Sequence, residues 1–380
     1  MKVRAAVLRD MGRPAPFADS RPLSIETVTL DPPGPGELLV KVRAAGLCHS
    51  DLSVIDGSRP RVMPMVLGHE AAGEVLAVGD DVHDIAVGDQ VVFAFVPACG
   101  HCAYCAEGRA ALCEPGARAN TAGTLLSGAR RWHGDAPELH HHLGVSAFAE
   151  ATVVSARSAV RIEPSADGQP LAWTTAALFG CAVLTGVGAI VNTARVAPGD
   201  SVAIFGLGGV GLAALLGAAA AGAHPLVAVD MLPAKLELAR QLGATHTVLA
   251  TDADAIAQIR AATGGGAHHA IESAGSERAL AAAYAATRRG GTTITAGLPH
   301  PERMFSVPAV SLVAEERTVK GSYMGSAVPA RDLPRFIALH RAGKLPVERL
   351  LTHRLKLDEI NLAFDRLARG EAVRQVIAFD

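Results

Sequence analysis

Two patterns of apolar and polar positions divide the chain into different regions. Up to about residue 160, alternating segments such as Leu38–Ala44, and a turn followed by an apolar run at Val87–Phe93, predict short strands separated by Gly- and Pro-containing turns. From about residue 183, short and mostly apolar runs such as Ser201–Phe205 are followed by Ala/Leu-rich stretches of helical length. The chain therefore predicts a β-rich region followed by alternating strands and helices.

The second region has the pattern of a doubly wound parallel sheet. Predicted strands lie at Ser201–Phe205, Leu226–Val229, His269–Glu272 and Thr292–Ala296, with helices between them. Regular alternation of strand and helix is typical of a parallel sheet covered on both faces. After about residue 323 the chain returns to mixed helix and strand. We therefore expect an α/β fold with a β-rich region before residue 183 and a doubly wound domain at 183–323.

Composition excludes several classes of protein. Apolar residues make up 49% of the chain and charged residues 19%, with a net charge of -2. This balance argues against a nucleic-acid surface, which would need a basic excess. Because glycines interrupt the most apolar stretch, Val202–Ala223, and the N-terminus lacks a signal-peptide core, we expect a cytoplasmic protein without a membrane partner.

A glycine-rich loop marks a dinucleotide site. The sequence Gly206-Leu207-Gly208-Gly209-Val210-Gly211 follows a predicted strand and opens a helix, and Asp230 closes the next strand. In this context Gly206 permits a tight turn, Gly208 lets the backbone approach a pyrophosphate and Gly211 allows close packing of the helix. Asp230 should bind the adenosine ribose hydroxyls and repel a 2′-phosphate, so NAD is favoured over NADP.

The six cysteines fall into two groups. One forms the pattern C-x2-C-x2-C-x7-C, a closed set of four thiolates typical of structural zinc: Cys99, Cys102, Cys105 and Cys113. Cys48 and Cys181 stand apart, and Gly68-His69-Glu70 lies between them. Two cysteines and a histidine would leave one position of a zinc ion open for chemistry. Spacing alone leaves open whether these three are ligands or ordinary buried residues.

Taken together, the motifs resemble those of the zinc-dependent medium-chain alcohol dehydrogenases over nearly the whole chain. The segment 68–82, with Gly68, His69, Glu70, Gly73, Gly79 and Val82, is similar to the family's zinc signature. Gly46–Asp51 resembles its first-ligand motif, and Gly180-Cys181 stands where a third ligand is expected. The segment from Cys113 to Gly144 favours the branch of class I and the glutathione-dependent class III enzymes.

The resemblance implies a Rossmann coenzyme domain at 183–323 and a GroES-like catalytic domain, with a structural zinc lobe, formed by 1–182 and 324–380. It also implies NAD and two zinc ions per chain. Cys48, His69 and Cys181 would hold the catalytic zinc, and the four clustered cysteines the structural one. Ser50 and His49 would carry a proton relay, Asp51 would orient His69, and Glu70 would lie behind the metal. The cofactor-binding residues implied are Gly206, Gly208, Gly209, Val210, Gly211, Asp230, Lys235, Thr185 and Arg374. The substrate-pocket residues implied are Phe95, His142, Leu143, Leu298 and Tyr323.

Two positions depart from the family pattern. Class I enzymes end the relay in a histidine where this chain has Ser53, so the last proton step would pass through His49 or water. Class III enzymes hold the glutathione carboxylate with an arginine where this chain has Ala117, although Arg118 is adjacent. His142 is also unusual, because relatives tend to be apolar there.

The resemblance implies reversible oxidation of a primary alcohol by hydride transfer from a zinc-bound alkoxide to NAD. Phe95 and Leu298 favour an aromatic or allylic alcohol. One alternative is a formaldehyde dehydrogenase acting on a thiol adduct such as S-hydroxymethyl glutathione. Others are a catalytically silent NAD(H)-binding protein and an enzyme that never releases its NAD. We expect a homodimer, with a homotetramer as the alternative, paired around Thr292–Ala296 and Thr318–Ser322.

Overall fold

The computed structural model describes residues 1–134, 138–165 and 168–379. The strands, in chain order, are β1 (Lys2–Leu8), β2 (Leu23–Leu30), β3 (Glu37–Gly46), β4 (Met65–Val66), β5 (Glu70–Val78), β6 (Gln90–Phe93), β7 (Trp132–His133), β8 (His140–His141), β9 (Ala151–Ser155), β10 (Ala159–Arg161), β11 (Val202–Phe205), β12 (Leu226–Asp230), β13 (His246–Leu249), β14 (Ala267–Glu272), β15 (Thr287–Thr295), β16 (Thr318–Gly321), β17 (Leu351–Leu355) and β18 (Arg374–Ala378).

The α-helices are α1 (Phe17–Ser20), α2 (His49–Ile55), α3 (Ala103–Ala106), α4 (Glu114–Ala122), α5 (Trp173–Leu178), α6 (Leu184–Gly188), α7 (Gly209–Ala220), α8 (Pro233–Gln241), α9 (Ala255–Ala262), α10 (Glu277–Ala286), α11 (Ala309–Ala314), α12 (Pro329–Arg341) and α13 (Ile360–Ala368). Two π-helical turns lie at Phe179–Val183 and Ala189–Ala194. Short 3-10 turns lie at Ala110–Leu112, Ala156–Ser158, Tyr323–Ser326, Val347–Leu350 and Leu357–Glu359.

The chain folds into two compact units. Unit 1 comprises Met1–Cys181, Val328–Ile337 and Leu351–Asp380, and unit 2 comprises Ala182–Ala327 and Ala338–Leu350. The sequence places the domain boundaries after residues 182 and 323. In the structure the first segment of unit 1 ends at Cys181, and the first segment of unit 2 ends at Ala327. The segment Ala338–Leu350, which the sequence assigns to the β-rich domain, packs with unit 2.

Unit 1 is built on two sheets that carry the loops with most of the candidate ligands. One sheet has the order β7-β2-β1-β4-β8, and the other has the order β10-β6-β5-β3-β18-β17, with β9 also pairing β3. Most of these pairs are antiparallel, and β3 buries alternate residues along much of its length, as predicted from its alternating sequence. One core cluster of unit 1 includes Leu38, Val40, Val42, Phe148 and Phe364.

Unit 2 is a parallel six-stranded sheet in the order β13-β12-β11-β14-β15-β16. This is the order of a dinucleotide-binding sheet, in which the first strand is central and the order reverses beside it. All four residues of β11 are buried, because a central parallel strand is covered on both faces. The carboxyl end of β11 therefore lies at the point where such sheets bind nucleotides.

One helical run is apolar enough by length and composition to cross a membrane. It spans Trp173–Ala194, with a mean hydropathy of 1.9 over its most apolar stretch. However, 94% of that stretch is buried within the protein, as expected for a core helix.

His141 should make the stability of the protein fall in mild acid. Its ring is fully buried in β8, and Nε2 accepts a hydrogen bond of 3.1 Å from the Arg131 backbone N–H. Burial lowers the pKa of His141 to about 3. The unfolded chain therefore binds a proton first, so this stabilisation is complete above the unfolded pKa of about 6.5 and is lost as pH falls toward 3. Its contribution should drop by about 2 kcal/mol between pH 7 and pH 5.

The measurement is denaturant unfolding of the wild-type protein and of His141→Gln at both pH values. The glutamine keeps an acceptor but does not titrate, so the variant should lose less stability on acidification than the wild type. His83→Gln, at an exposed histidine of the same unit, is the control. An equal acid effect in wild type and His141→Gln would contradict this account of His141.

Candidate functional site

Three of the predicted ligands converge in unit 1. Cys48 precedes α2, His69 precedes β5 and Cys181 lies in the π-helical turn, yet their ligand atoms all fall within 4.8 Å of one another. Cys181 Sγ is 3.5 Å from His69 Nε2 across 112 positions of sequence. The hydrogen bond between the two thiols lowers the pKa of Cys48 and raises that of Cys181. Two sulfurs and an imidazole nitrogen form a donor set that suits zinc.

The π-helical turn and a glycine place Cys181. A Cβ on Gly180 would lie 2.0 Å from the Phe93 carbonyl oxygen, so only glycine allows this turn to lie against the end of β6. Single π-helical turns recur at functional sites because the extra residue redirects a side chain. The sequence around Cys181 carries no local signal for this π-helical turn.

Asp51 fixes the orientation of His69. Asp51 is fully buried in α2, and its Oδ1 lies 3.0 Å from His69 Nδ1. Although burial opposes ionisation, His69 and His142 hold the pKa of Asp51 well below its usual range. A carboxylate at Nδ1 leaves Nε2 with the lone pair that a metal needs. The structure thus brings together the pair that the resemblance implies.

His142 also lies against this carboxylate. Its Nδ1 is 3.1 Å from the same Asp51 Oδ1, and its ring stands edge-on to His69 with centroids 5.5 Å apart. Burial lowers the pKa of His142, and Asp51 only partly opposes the shift. The sequence implies His142 only as a pocket wall, and no local pattern signals its contact with Asp51.

Glu70 and Arg374 form a buried ion pair in unit 1. Glu70 begins β5, Arg374 begins β18, and both side chains are buried. Burial raises the pKa of Glu70, and the Arg374 guanidinium only partly offsets this rise. Glu70, Cys48 and Cys181 in turn raise the pKa of Arg374 against the effect of burial. The resemblance implies Arg374 as a pyrophosphate partner. In the structure its guanidinium also pairs with Glu70 and lies near the thiols of Cys48 and Cys181.

The first turn of α2 carries the predicted relay residues. His49 is exposed and Ser50 is partly exposed. The Ser50 hydroxyl has no hydrogen-bond partner among the described residues, whereas Ser53 Oγ donates to the His49 carbonyl oxygen at 2.9 Å. The Ser53 hydroxyl is therefore engaged by its own helix, and Ser50 retains a hydroxyl for a ligand.

The predicted pocket residues are distributed over both units. In unit 1, Phe95 is nearly buried and stands edge-on to His69 with ring centroids 5.5 Å apart, and Leu143 is also buried. In unit 2, Leu298 and Tyr323 are 48% and 40% exposed. Phe95 thus joins His142 in framing the imidazole of His69.

The other four cysteines form a second group in unit 1. Their sulfurs lie within 4.8 Å of one another: Cys99, Cys102, Cys105 and Cys113. Cys113 Sγ accepts backbone N–H groups of Cys99 and Gly116 at 3.2 and 3.4 Å. A backbone hydrogen bond from Cys105 lowers the pKa of Cys102 to about 6, whereas burial raises that of Cys105 to about 12. Four thiols this close ionise together only with a cation, so this set fits a closed metal site.

In unit 2 the glycine-rich loop has the predicted form. Gly206 has a φ of +89°, and a Cβ on Gly211 would lie 1.8 Å from the Gly206 carbonyl oxygen. A Cβ on Gly208 would meet nothing within 4 Å, so the loop leaves space at the start of α7, where free N–H groups attract phosphate. Asp230 accepts hydrogen bonds from the N–H groups of Leu207 and Leu232 at 2.6 and 3.0 Å.

The remaining predicted cofactor residues also lie in unit 2. Gly209 and Val210 form the first turn of α7, and Thr185 is buried in α6. Lys235 is partly exposed in α8, two positions after its N-terminal proline.

Comparisons with known proteins extend over the whole chain. Residues 34–164 match the family model described as alcohol dehydrogenase GroES-like domain, and residues 209–341 match zinc-binding dehydrogenase. An S-(hydroxymethyl)glutathione dehydrogenase from Synechocystis sp. is 36% identical over 100% of both chains. A geraniol dehydrogenase from Castellaniella defragrans is 37% identical over 100% of this chain and 98% of that protein. The crystal structure of benzyl alcohol dehydrogenase from Acinetobacter calcoaceticus matches with a TM-score of 0.92 and 31% identity, covering 100% of both chains. These matches confirm the predicted pairing of a GroES-like with a Rossmann-like domain.

Loss of metal from the four-cysteine lobe should loosen the lobe without affecting the group of Cys48, His69 and Cys181. Cys113→Ser should lower the metal content by about one ion per chain and speed tryptic cleavage at Arg109, an exposed residue between Cys105 and Cys113, by about tenfold. Metal analysis and limited proteolysis measure the two effects. Cys181→Ser is the matched control, because it should also cost one metal ion but leave cleavage at Arg109 unchanged. Unchanged metal content in Cys113→Ser would contradict the assignment of this lobe.

Proposed function

We propose that this chain, which belongs to the zinc-dependent medium-chain alcohol dehydrogenase family, oxidises a primary alcohol, in particular an aromatic or allylic one, to its aldehyde reversibly with NAD. The observation that carries the proposal is the convergence of the ligand atoms of Cys48, His69 and Cys181 to within 4.8 Å of one another, with Ser50 two positions after Cys48 in the chain. Relatives named for geraniol and for benzyl alcohol, which are allylic and benzylic primary alcohols, support the substrate class.

The proposed catalytic zinc would be held by Cys48, His69 and Cys181, and a second, structural zinc by the four-cysteine lobe. When bound, the catalytic ion supplies Lewis-acid catalysis that lowers the pKa of the substrate hydroxyl. Asp51 holds His69 Nδ1 at 3.0 Å and so presents Nε2 in one orientation. Arg374 offsets the negative charge of the buried groups beside the ligands.

Ser50 is proposed to take the proton from the substrate hydroxyl at its Oγ. The Ser53 hydroxyl is already donated to the His49 carbonyl oxygen, so the proton would leave through the exposed His49 imidazole or water rather than through Ser53. Phe95 would contribute an apolar wall beside His69. The nicotinamide supplies the hydride acceptor.

The preference for NAD over NADP rests on Asp230. Its carboxylate is fixed by two backbone N–H groups and is nearly buried at the end of β12. A fixed negative charge at this position suits ribose hydroxyls and opposes a 2′-phosphate. Gly208 and the N-terminus of α7 would hold the pyrophosphate, Lys235 would lie near the ribose and Thr185 near the nicotinamide.

A second candidate function is oxidation of a thiol adduct of formaldehyde. The relative named S-(hydroxymethyl)glutathione dehydrogenase favours it, as does the exposed Arg118 of α4, which has no ion-pair partner among the described residues. Ala117 at the adjacent position speaks against it by resemblance.

A homodimer is proposed from one edge of unit 2, with a homotetramer as the larger alternative. Every residue of the edge strand β16 is exposed, and no residue of the apolar helix α11 is buried. Val310 and Val313 are 72% and 82% exposed. An exposed strand edge and an exposed apolar helix on the same unit favour pairing with a second copy. A cytoplasmic location is also proposed, because cysteines grouped as metal ligands suit a reducing compartment.

Steady-state kinetics with a panel of alcohols tests the proposed function. Primary aliphatic, allylic and benzylic alcohols are offered with NAD and NADP in parallel, and formaldehyde is offered with and without glutathione. Turnover of free benzylic or allylic alcohols is expected, with kcat/KM for NAD at least about 100-fold above that for NADP. Turnover only of the thiol adduct would replace the proposal with the second candidate. Nicotinamide that stays bound through gel filtration would indicate a retained cofactor.

Ser50→Ala and Ser53→Ala form the matched pair for this test, because both remove one hydroxyl from α2. Ser50→Ala should lower kcat by about 100-fold, since general acid–base groups contribute at least that much. Ser53→Ala should stay near wild type. Equal activity of the two variants would contradict the proton relay.

Sedimentation of purified protein tests the proposed dimer. Val313→Asp places a charge on the exposed apolar helix and should shift the protein toward monomer, raising Kd by at least about tenfold. Val87→Asp, at an exposed valine of unit 1, is the control and should sediment as wild type. A monomeric wild-type protein, or one whose association Val313→Asp leaves unchanged, would rule out this interface.

A further inference from the structure

We propose that His142 is a positioning residue for the metal-binding imidazole, acting through the carboxylate that it shares with His69. The inference rests on the proposed function only in taking His69 as a metal ligand. Its basis is that one oxygen, Asp51 Oδ1, lies 3.0 Å from His69 Nδ1 and 3.1 Å from His142 Nδ1.

Both contacts are shielded from water. Asp51 is fully buried, and His69 and His142 are each 1% exposed. His142 Nδ1 makes no aligned hydrogen bond to a described residue, and Asp51 Oδ1 lies 3.1 Å from it. The charge of a buried carboxylate at this distance stabilises a proton on Nδ1 even without a linear hydrogen bond. Two buried imidazole nitrogens therefore lie within 3.1 Å of one carboxylate oxygen.

The ring of His142 also limits the tilt of His69. It stands at 88° to the His69 ring with centroids 5.5 Å apart, and Phe95 stands at 86° with the same separation. His69 thus has Asp51 at Nδ1 and two edge-on rings beside it. Removing His142 would take away both a partner of the carboxylate and one of these rings.

The loop after β8 is built to hold His142 in place. The His142 backbone N–H donates to Ser146 Oγ at 2.8 Å, and this hydroxyl donates to the Val66 carbonyl oxygen at 2.8 Å. Leu143 and Ser146 both have a φ of +51°, in the left-handed region that residues other than glycine rarely adopt. Backbone strain of this kind persists where the surrounding structure fixes it, and it is common at functional sites.

Two replacements separate this role from simple packing. Asparagine keeps an N–H group near the position of Nδ1, whereas leucine fills similar space without a donor. His142→Leu should therefore loosen Asp51 and His69, and His142→Asn should preserve much of their arrangement.

The experiment is release of metal from the purified zinc-loaded protein to a chromophoric chelator. His142→Leu should speed release of the metal held by Cys48, His69 and Cys181 by about tenfold. Loss of a residue that hydrogen-bonds a metal ligand weakens metal binding by about 10- to 100-fold, and the lower value is expected because His142 acts through Asp51. His142→Asn should remain close to wild type, and the metal of the four-cysteine lobe should leave at an unchanged rate in all variants. With cobalt in the open site, the visible absorption band should shift in His142→Leu and not in His142→Asn.

A double-mutant cycle with Asp51→Asn identifies the route of the effect. If His142 acts through Asp51, His142→Leu should add little to the release rate in the Asp51→Asn background. The inference would be overturned if His142→Leu released its metal at the wild-type rate, or if His142→Leu and His142→Asn accelerated release equally. It would also be overturned if His142→Leu accelerated release by the same factor with Asp51 and with Asn at position 51. These readouts measure metal release and do not depend on turnover. If the protein oxidised no alcohol but showed the predicted release rates, the proposed substrate would be refuted and the role of His142 would stand.

Discussion

The buried negative charge of Asp51 connects the parts on which the candidate site depends. Its Oδ2 accepts the Cys48 backbone N–H at 3.3 Å, and its Oδ1 accepts the Gly68 N–H at 3.3 Å while facing the His69 ring. One carboxylate thus links the N-terminus of α2 to the turn before β5. Because an unsatisfied carboxylate is costly inside a protein, these donors are held to it, and two proposed metal ligands are held with them.

The same burial explains why the three-ligand group suits a divalent cation. Two thiols and the carboxyl groups of Asp51 and Glu70 lie in or beside it, and Arg374 is the buried cation paired with Glu70. Ionising both thiols would leave an excess of negative charge away from water. A divalent metal supplies the missing charge and favours the thiolate forms, so metal binding and local order should be coupled.

The sequence predicts the features that depend on local pattern. The predicted strand at 201–205 and the glycines after it correspond to β11 and the start of α7. Local sequence predicts both, since apolar runs and glycine-dependent turns are short-range properties. The pairing of a Rossmann-like with a GroES-like domain also follows from motifs in sequence order. By contrast, the width of the turn at Cys181 depends on the approach of Gly180 to Phe93, and no nearby residue encodes that approach.

His142 shows the same limit within the site. Its sequence context, three consecutive histidines, does not indicate that His140 and His141 pair in a short strand while His142 faces Asp51. That contact depends on how the loop after β8 packs on α2. Ser53 is a further case, because only the helix geometry shows that its hydroxyl is donated to a backbone carbonyl.

X-ray absorption at the zinc edge of the purified protein tests the central claim most directly. The account predicts two zinc ions per chain, one held by four thiolates and the other by two thiolates and His69. The average zinc ion should then have about three sulfur ligands, and its other ligands should be nitrogen or oxygen. A single zinc ion surrounded only by sulfur would contradict the open centre formed by Cys48, His69 and Cys181, and with it the proposed chemistry.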